Sequence, residues 1–139
     1  MMTAELAPAR VVVADDDDGV RDSLCAILEH RGCEVVGRAI DGAEAVVVAT
    51  STTPEVVLMD LRMPNVDGIE ASRQIKERFP TTQVIVLSAY DDESLRQLAE
   101  GVGVYCYLVK GCPPSMIMEM VGRAAEFKRQ LDQRGSIPG

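Results

Sequence analysis

Short apolar runs alternate with stripes of apolar residues at helical spacing along the whole chain. Val11-Val12-Val13-Ala14, Val56-Val57-Leu58-Met59 and Gln83 to Leu87 are runs of four or five residues, bounded by turn formers, as expected of strands buried on both faces. Glu34 to Ile40 mixes Val35, Val36 and Ala39 with Glu34, Gly37 and Arg38, which predicts a strand wetted on one side and therefore an edge. Val104 to Val109, with its tyrosines, predicts the opposite edge. Between the strands, Val20, Leu24, Ile27 and Leu28 define a first helix stopped by Gly32. Ala43, Val46, Val47 and Thr50 define the buried face of a second, capped by Asp41. Ile69, Ser72, Ile75 and Phe79 define a third after the Asp67-Gly68 turn. A fourth covers Asp91 to Gly101, with Leu95, Leu98, Ala99 and Val102 in register. The last opens at Pro113-Pro114 and carries Ile117, Met120, Val121 and Ala124, while Met116, Met118 and Met120 are expected to fill core. Strands alternating with helices require right-handed crossovers in a parallel sheet. The fold class is α/β, a doubly wound five-stranded parallel sheet, with the most apolar strands central in the order 2-1-3-4-5.

A length of 139 residues suits one domain. Four cysteines without a CxxC pair and a single histidine, His30, leave little material for zinc and point to reduced thiols in a cytoplasm. No signal peptide is recognisable, and no apolar run is long enough to cross a bilayer. A net charge of −8, with no basic cluster, argues against direct nucleic-acid binding.

The topology gathers particular residues at the carboxyl ends of the strands, where open parallel sheets bind ligands. Asp15 and Asp16 follow the first strand, Asp60 ends the third, Ser88 the fourth and Lys110 the fifth. Two carboxylates about 4 Å apart repel by roughly 4 kcal/mol at an effective dielectric near 20, so they protonate, separate or bind a cation. Oxygen-only ligands point to Mg2+, which keeps coordination positions for phosphate oxygens. The expected chemistry is phosphoryl transfer, with Asp60 as nucleophile, Asp15 and Asp16 as metal carriers, Ser88 as hydroxyl donor and Lys110 as compensating cation.

Four motifs stand in order along the chain: Val11-Val12-Val13-Ala14-Asp15-Asp16, Leu58-Met59-Asp60-Leu61-Arg62-Met63-Pro64 with Asp67-Gly68, Val86-Leu87-Ser88-Ala89, and Tyr107-Leu108-Val109-Lys110. In these the sequence resembles the receiver domain of two-component response regulators. The resemblance covers about Arg10 to Glu126. It implies Asp60 as phosphoacceptor, a Mg2+ ion held by Asp15, Asp16, Asp60 and the backbone carbonyl of Arg62, Ser88 and Lys110 as phosphoryl contacts, and Ser88 with Tyr107 as switch residues. It divides the chain into an N-terminal arm (1–9), a receiver domain (10–131) and a tail or linker (132–139). The implied role is signalling rather than enzymatic, with slow autodephosphorylation. A histidine kinase or phosphotransfer protein is the implied donor. A downstream partner, or an output domain lying beyond this sequence, is the implied reader, through the face made by the fourth helix, fifth strand and fifth helix. Phe127 and Leu131 extend an apolar side there, which would also serve a homodimer.

Gly111 stands after Lys110 where many receivers have proline, and Lys110-Gly111-Cys112-Pro113-Pro114 looks more like receivers that precede a helix-turn-helix output domain. Two rival readings remain. Asp16-Asp17-Asp18-Gly19-Val20 imitates the nucleophile motif of haloacid-dehalogenase-type phosphohydrolases, but Asp91-Asp92 precede Lys110, the reverse of that family's order. The other rival is a phosphorylation-silent interaction module. A calcium loop is excluded, because setting Gly19 at its sixth position places Cys25 at the bidentate twelfth.

Overall fold

The computed structural model describes residues 7–63 and 65–136. Its elements are β1 (Arg10–Ala14), α1 (Asp18–His30), β2 (Glu34–Ala39), α2 (Gly42–Thr52), β3 (Val56–Met59), α3 (Gly68–Arg78), β4 (Gln83–Ser88), α4 (Glu93–Gly101), β5 (Cys106–Val109) and α5 (Pro114–Ser136). The five strands form one parallel sheet in the order β2-β1-β3-β4-β5, as the apolar pattern requires. β3 and β4 are buried along their whole lengths, whereas β2 is mostly half-buried at its edge.

Side chains alternate across the sheet, as the period of two dictates. Val11, Val13, Val56, Leu58, Ile85 and Leu87 face one layer with Leu24, Leu28, Ile117 and Val121 of α1 and α5. Val12, Ala14, Val57, Met59 and Val84 face the other with Ala45, Ala49, Ala71 and Ile75 of α2 and α3. Each such Val, Leu or Ile contributes about 1.5–3 kcal/mol on burial. Asp17, Asp41, Asp67 and Asp92 cap α1 to α4, each accepting a hydrogen bond from a backbone N–H in the first turn, worth about 1 kcal/mol apiece. Asp17, next to the rim acids, thus serves as the cap of α1.

Several expectations shift. In α2 the buried residues are Gly42, Ala45, Val46 and Ala49, and Ala43, Val47 and Thr50 lie outside. A helix this uniformly apolar gives no contrast from which to read its face; the close seat of Gly42, where a Cβ would stand 1.8 Å from the Val66 carbonyl oxygen, turns its side of the helix inward. Leu98 is exposed, and α4 buries only Ala99. Met116 is exposed, while Met118 and Met120 do pack on the core. The fifth strand begins at Cys106 rather than Val104. α5 continues through Ser136, so 132–136, read as the start of a tail, is helical. Of the N-terminal arm, residues 1–6 lie outside the described residues, as does Pro64. The four cysteines are free thiols, and among the described residues no helix is long and apolar enough to cross a membrane.

At the amino ends of the strands, Glu55 accepts from Arg129 of α5 with both carboxylate oxygens, Nε donating at 2.6 Å and Nη2 at 2.9 Å, and also accepts the Arg10 backbone N–H at 3.0 Å. Burial works against the Glu55 charge, but Arg129 and the Arg10 amide prevail and hold its pKa below the ordinary value.

Candidate phosphoacceptor site

At the opposite edge the sheet's hydrogen-bond ladder runs one residue past the strands. The Asp60 N–H donates to the Ala14 carbonyl at 2.9 Å, Asp15 N–H to Ala39 at 3.0 Å and Lys110 N–H to Ser88 at 2.6 Å. Backbone pairing therefore fixes where these three side chains start. α3 enters directly beneath: a Cβ on Gly68 would lie 2.2 Å from the Asp60 carbonyl oxygen and 2.7 Å from Leu61 Cα, so only glycine permits this approach.

Asp15 and Asp60 are 1% and 6% exposed, and Asp16 is exposed beside them. One carboxylate oxygen from each of the three lies within 4.8 Å of the other two. Lys110 Nζ sits 2.9 Å from Asp15 Oδ2 and 3.5 Å from Asp60 Oδ2. Asp15 Oδ1 accepts the Asp17 N–H at 2.9 Å, and Asp60 Oδ1 accepts the Arg62 N–H at 3.3 Å. Burial, followed by the Asp15 charge, raises the Asp60 pKa, with Lys110 and the Arg62 amide opposing. Burial alone would lower the pKa of Lys110, but the hydrogen bond to Asp15 and the charges of Asp60 and Asp15 leave it raised. One ammonium thus serves both buried carboxylates, Asp15 and Asp60, with the exposed Asp16 carboxylate beside them. An all-oxygen cluster with excess negative charge fits a hard divalent cation such as Mg2+.

Ser88 is fully buried at the end of β4, and its Oγ accepts the Tyr90 N–H at 3.1 Å. Tyr107 in β5 donates its hydroxyl to the Tyr90 carbonyl at 2.6 Å. Arg62 places its guanidinium 4.3 Å above the Tyr90 ring, and Arg96 lies 4.6 Å from the Tyr107 ring. Asp15, Asp16, Asp60 and Lys110 are therefore in one cluster; Ser88 and Tyr107 join through Tyr90 and make no hydrogen bond to Asp60 among the described residues.

The sequence matches the family model for the response regulator receiver domain over residues 11–122. The chain belongs to this family. Among curated relatives, the receiver is 39% identical over 124 residues to the transcriptional regulatory protein PdtaR of Mycobacterium tuberculosis (strain ATCC 25618 / H37Rv), covering 89% of this chain and 60% of that protein. It is 36% identical over 127 residues to the transcriptional regulatory protein LiaR of Bacillus subtilis (strain 168), covering 90% and 60%. The chain thus spans about 60% of the length of these relatives. Among solved structures, the receiver domain of the response regulator NarL from Mycobacterium tuberculosis superposes with a TM-score of 0.83 at 30% identity, over 87% of this chain and 98% of that one. The response regulator domain of Thermotoga maritima CheB gives 0.79 at 30% identity, over 86% and 97%. This receiver is accordingly a signalling domain of a two-component system.

Two features of the receiver's rim escaped the sequence reading. Tyr90, which bridges Ser88 and Tyr107 through its backbone, carried no signal beyond an aromatic residue two positions after Ser88. The Arg62 side chain, considered only for its carbonyl, stacks on that aromatic. Gly111 adopts φ +100°, a conformation closed to proline, so the departure after Lys110 changes the loop's backbone as well as its residue.

Proposed function

We propose that this receiver accepts a phosphoryl group on Asp60 and uses it to alter the face formed by α4, β5 and α5. The observation that carries this reading is the placement of Asp60, nearly buried beside Asp15, Asp16 and a shared Lys110. An Asp60 carboxylate oxygen attacks phosphorus in line, the new O–P bond forming as the N–P bond of a phosphohistidine breaks. The departing imidazole nitrogen keeps the electron pair and takes a proton from solvent. Mg2+ held by Asp15, Asp16, Asp60 and the Arg62 carbonyl would neutralise charge on the phosphoryl oxygens. Lys110 is placed to leave Asp15 for a phosphoryl oxygen, and the Ser88 hydroxyl to donate to another. Slow attack of water on phosphorus releases inorganic phosphate and restores the carboxylate.

The acyl phosphate carries roughly two negative charges. Drawing Ser88 toward it pulls on the Tyr90 N–H, and through the Tyr90 carbonyl on the Tyr107 hydroxyl. That chain of contacts leads from the rim to β5. The donor is a histidine kinase or phosphotransfer protein in the cytoplasm. The reader is a downstream protein or an output domain C-terminal to α5; the receiver itself does not bind nucleic acid. We take residues 10–131 as the receiver unit.

Incubation with acetyl phosphate, with and without Mg2+, followed by intact mass and peptide mapping, tests the assignment. The expected result is one Mg2+-dependent phosphate on Asp60, absent in Asp60→Asn. Label on Asp16 with rapid turnover would instead support a phosphohydrolase, and no label under either condition a silent interaction module.

A further inference from the structure

The outer face of α2 is the part of the surface that the phosphorylation reading leaves unused. Gly42–Thr52 has a single charged side chain, Glu44. Ala43, Val47, Thr50 and Ser51 face outward, and Val47, 66% exposed, is the most exposed large hydrophobic side chain among the described residues. A helix apolar nearly all round is normally covered nearly all round. Between α2 and α3 this face forms a groove of about 490 Å³, lined by Ala43, Val46, Val47, Thr50, Val66 and Arg78 among others.

The charges around the groove name the occupant. α2 and α3 both return from the carboxyl edge of a parallel sheet, so they run the same way. Glu44 and Glu70 occupy their first turns, and Arg78 the last turn of α3. The face is therefore acidic at one end, apolar in the middle and basic at the other. Glu70 is engaged by Arg73 and Gln74, whereas Arg78 is exposed and makes no ion pair among the described residues. Two copies of a chain with net charge −8 repel unless the contact is uncharged or pairs opposite charges. A two-fold arrangement with antiparallel α2 helices satisfies both conditions. It sets Val47 against its counterpart near the axis and brings Arg78 of each copy over the first-turn carboxylates, Glu44 foremost, of the other. A parallel arrangement would stack Arg78 on Arg78.

We propose that two copies of this chain associate reversibly through the α2–α3 face, with α2 antiparallel to its counterpart. Eleven residues of helix span roughly 16 Å. An interface centred on one such pair falls below the roughly 800 Å² per partner of stable complexes, so the dimer is a weak one that exchanges with monomer. It leaves the α4, β5 and α5 face free, and it does not depend on phosphorylation of Asp60.

Sedimentation velocity from micromolar to millimolar chain tests this. The expected result is a monomer–dimer equilibrium weakened about tenfold or more by Val47→Asp and, separately, by Arg78→Glu, with Phe127→Ser unchanged. Both substituted side chains point to solvent, and circular dichroism confirms that the variants fold. A chain that stays monomeric at millimolar concentration would overturn the proposal. So would an association sensitive to Phe127→Ser and indifferent to Val47→Asp. Insensitivity to Arg78→Glu would overturn the antiparallel arrangement.

Discussion

Glu55 and Asp60 stand at opposite ends of β3, and the fold treats their carboxylates in opposite ways. Glu55 meets a two-pronged guanidinium and a backbone amide, and its pKa falls despite burial. Asp60 meets two other carboxylates and one shared ammonium, and its pKa rises. Within one four-residue strand, the amino end is electrostatically closed and the carboxyl end is left short of positive charge. The closed end stabilises the fold by tying α5 to the sheet. The open end retains an unmet demand for a cation, which a bound metal ion can meet.

The largest effect on this contrast is expected from Gly68→Ala. Its Cβ would meet the backbone of Asp60 and Leu61, so about 3 kcal/mol of stability should be lost in urea unfolding, with slower labelling of Asp60. An unchanged unfolding midpoint would show that α3 is not seated against the rim as described.

Next comes the closed end. Glu55→Gln should cost about 2 kcal/mol at neutral pH, less than a fully buried pair because Arg129 remains 25% exposed. Since the folded pKa of Glu55 lies below its ordinary value of 4.5, this stabilisation is complete above the ordinary value and is lost as pH falls through the folded one. The difference between wild type and Glu55→Gln in pH-dependent unfolding should therefore vanish in acid.

At the open end, Mg2+ at ten times its dissociation constant should raise stability by about 1.4 kcal/mol. Asp15→Asn should abolish most of that gain in thermal melts. Equal Mg2+ stabilisation of wild type and variant would place the ion elsewhere.

The smallest effect carries the most informative sign. Without Mg2+, Asp60→Asn should raise the melting temperature by roughly a few degrees at neutral pH. Asp60 has a folded pKa above its ordinary value of 3.8, so its ionisation weakens the fold as pH rises from the ordinary value through the folded one. The advantage of the variant should accordingly be full above the folded pKa and disappear below the ordinary value. A variant less stable than wild type at neutral pH would mean that Lys110 satisfies the rim after all.

Strand order and rim position were legible because both follow from one local property. A run of four or five apolar residues must lie inside a parallel sheet, and the polar residue that ends it must lie at the edge. Asp15, Asp60 and Ser88 each end such a run and Lys110 ends the tyrosine-bearing edge strand, so their common rim could be read without coordinates. The α2 face could not be read that way. Val46, Val47 and Val48 are chemically alike, and the choice among them was made by the close approach of Gly42 to the Val66 backbone.

What the sequence determined by itself was thus the alternation of elements, the parallel sheet and the acids along its rim, because periodicity and run length are properties of neighbouring residues. The tertiary structure decided what depends on residues far apart in the chain. It set Arg129 against Glu55 across 74 positions and Tyr107 against the Tyr90 carbonyl across 17. It also made Asp15 and Asp60, rather than Asp17 or Asp18, the buried carboxylates. Each of those outcomes is fixed by how helices seat on the sheet, and a carboxylate acquires its charge state only from the neighbours that this seating brings to it.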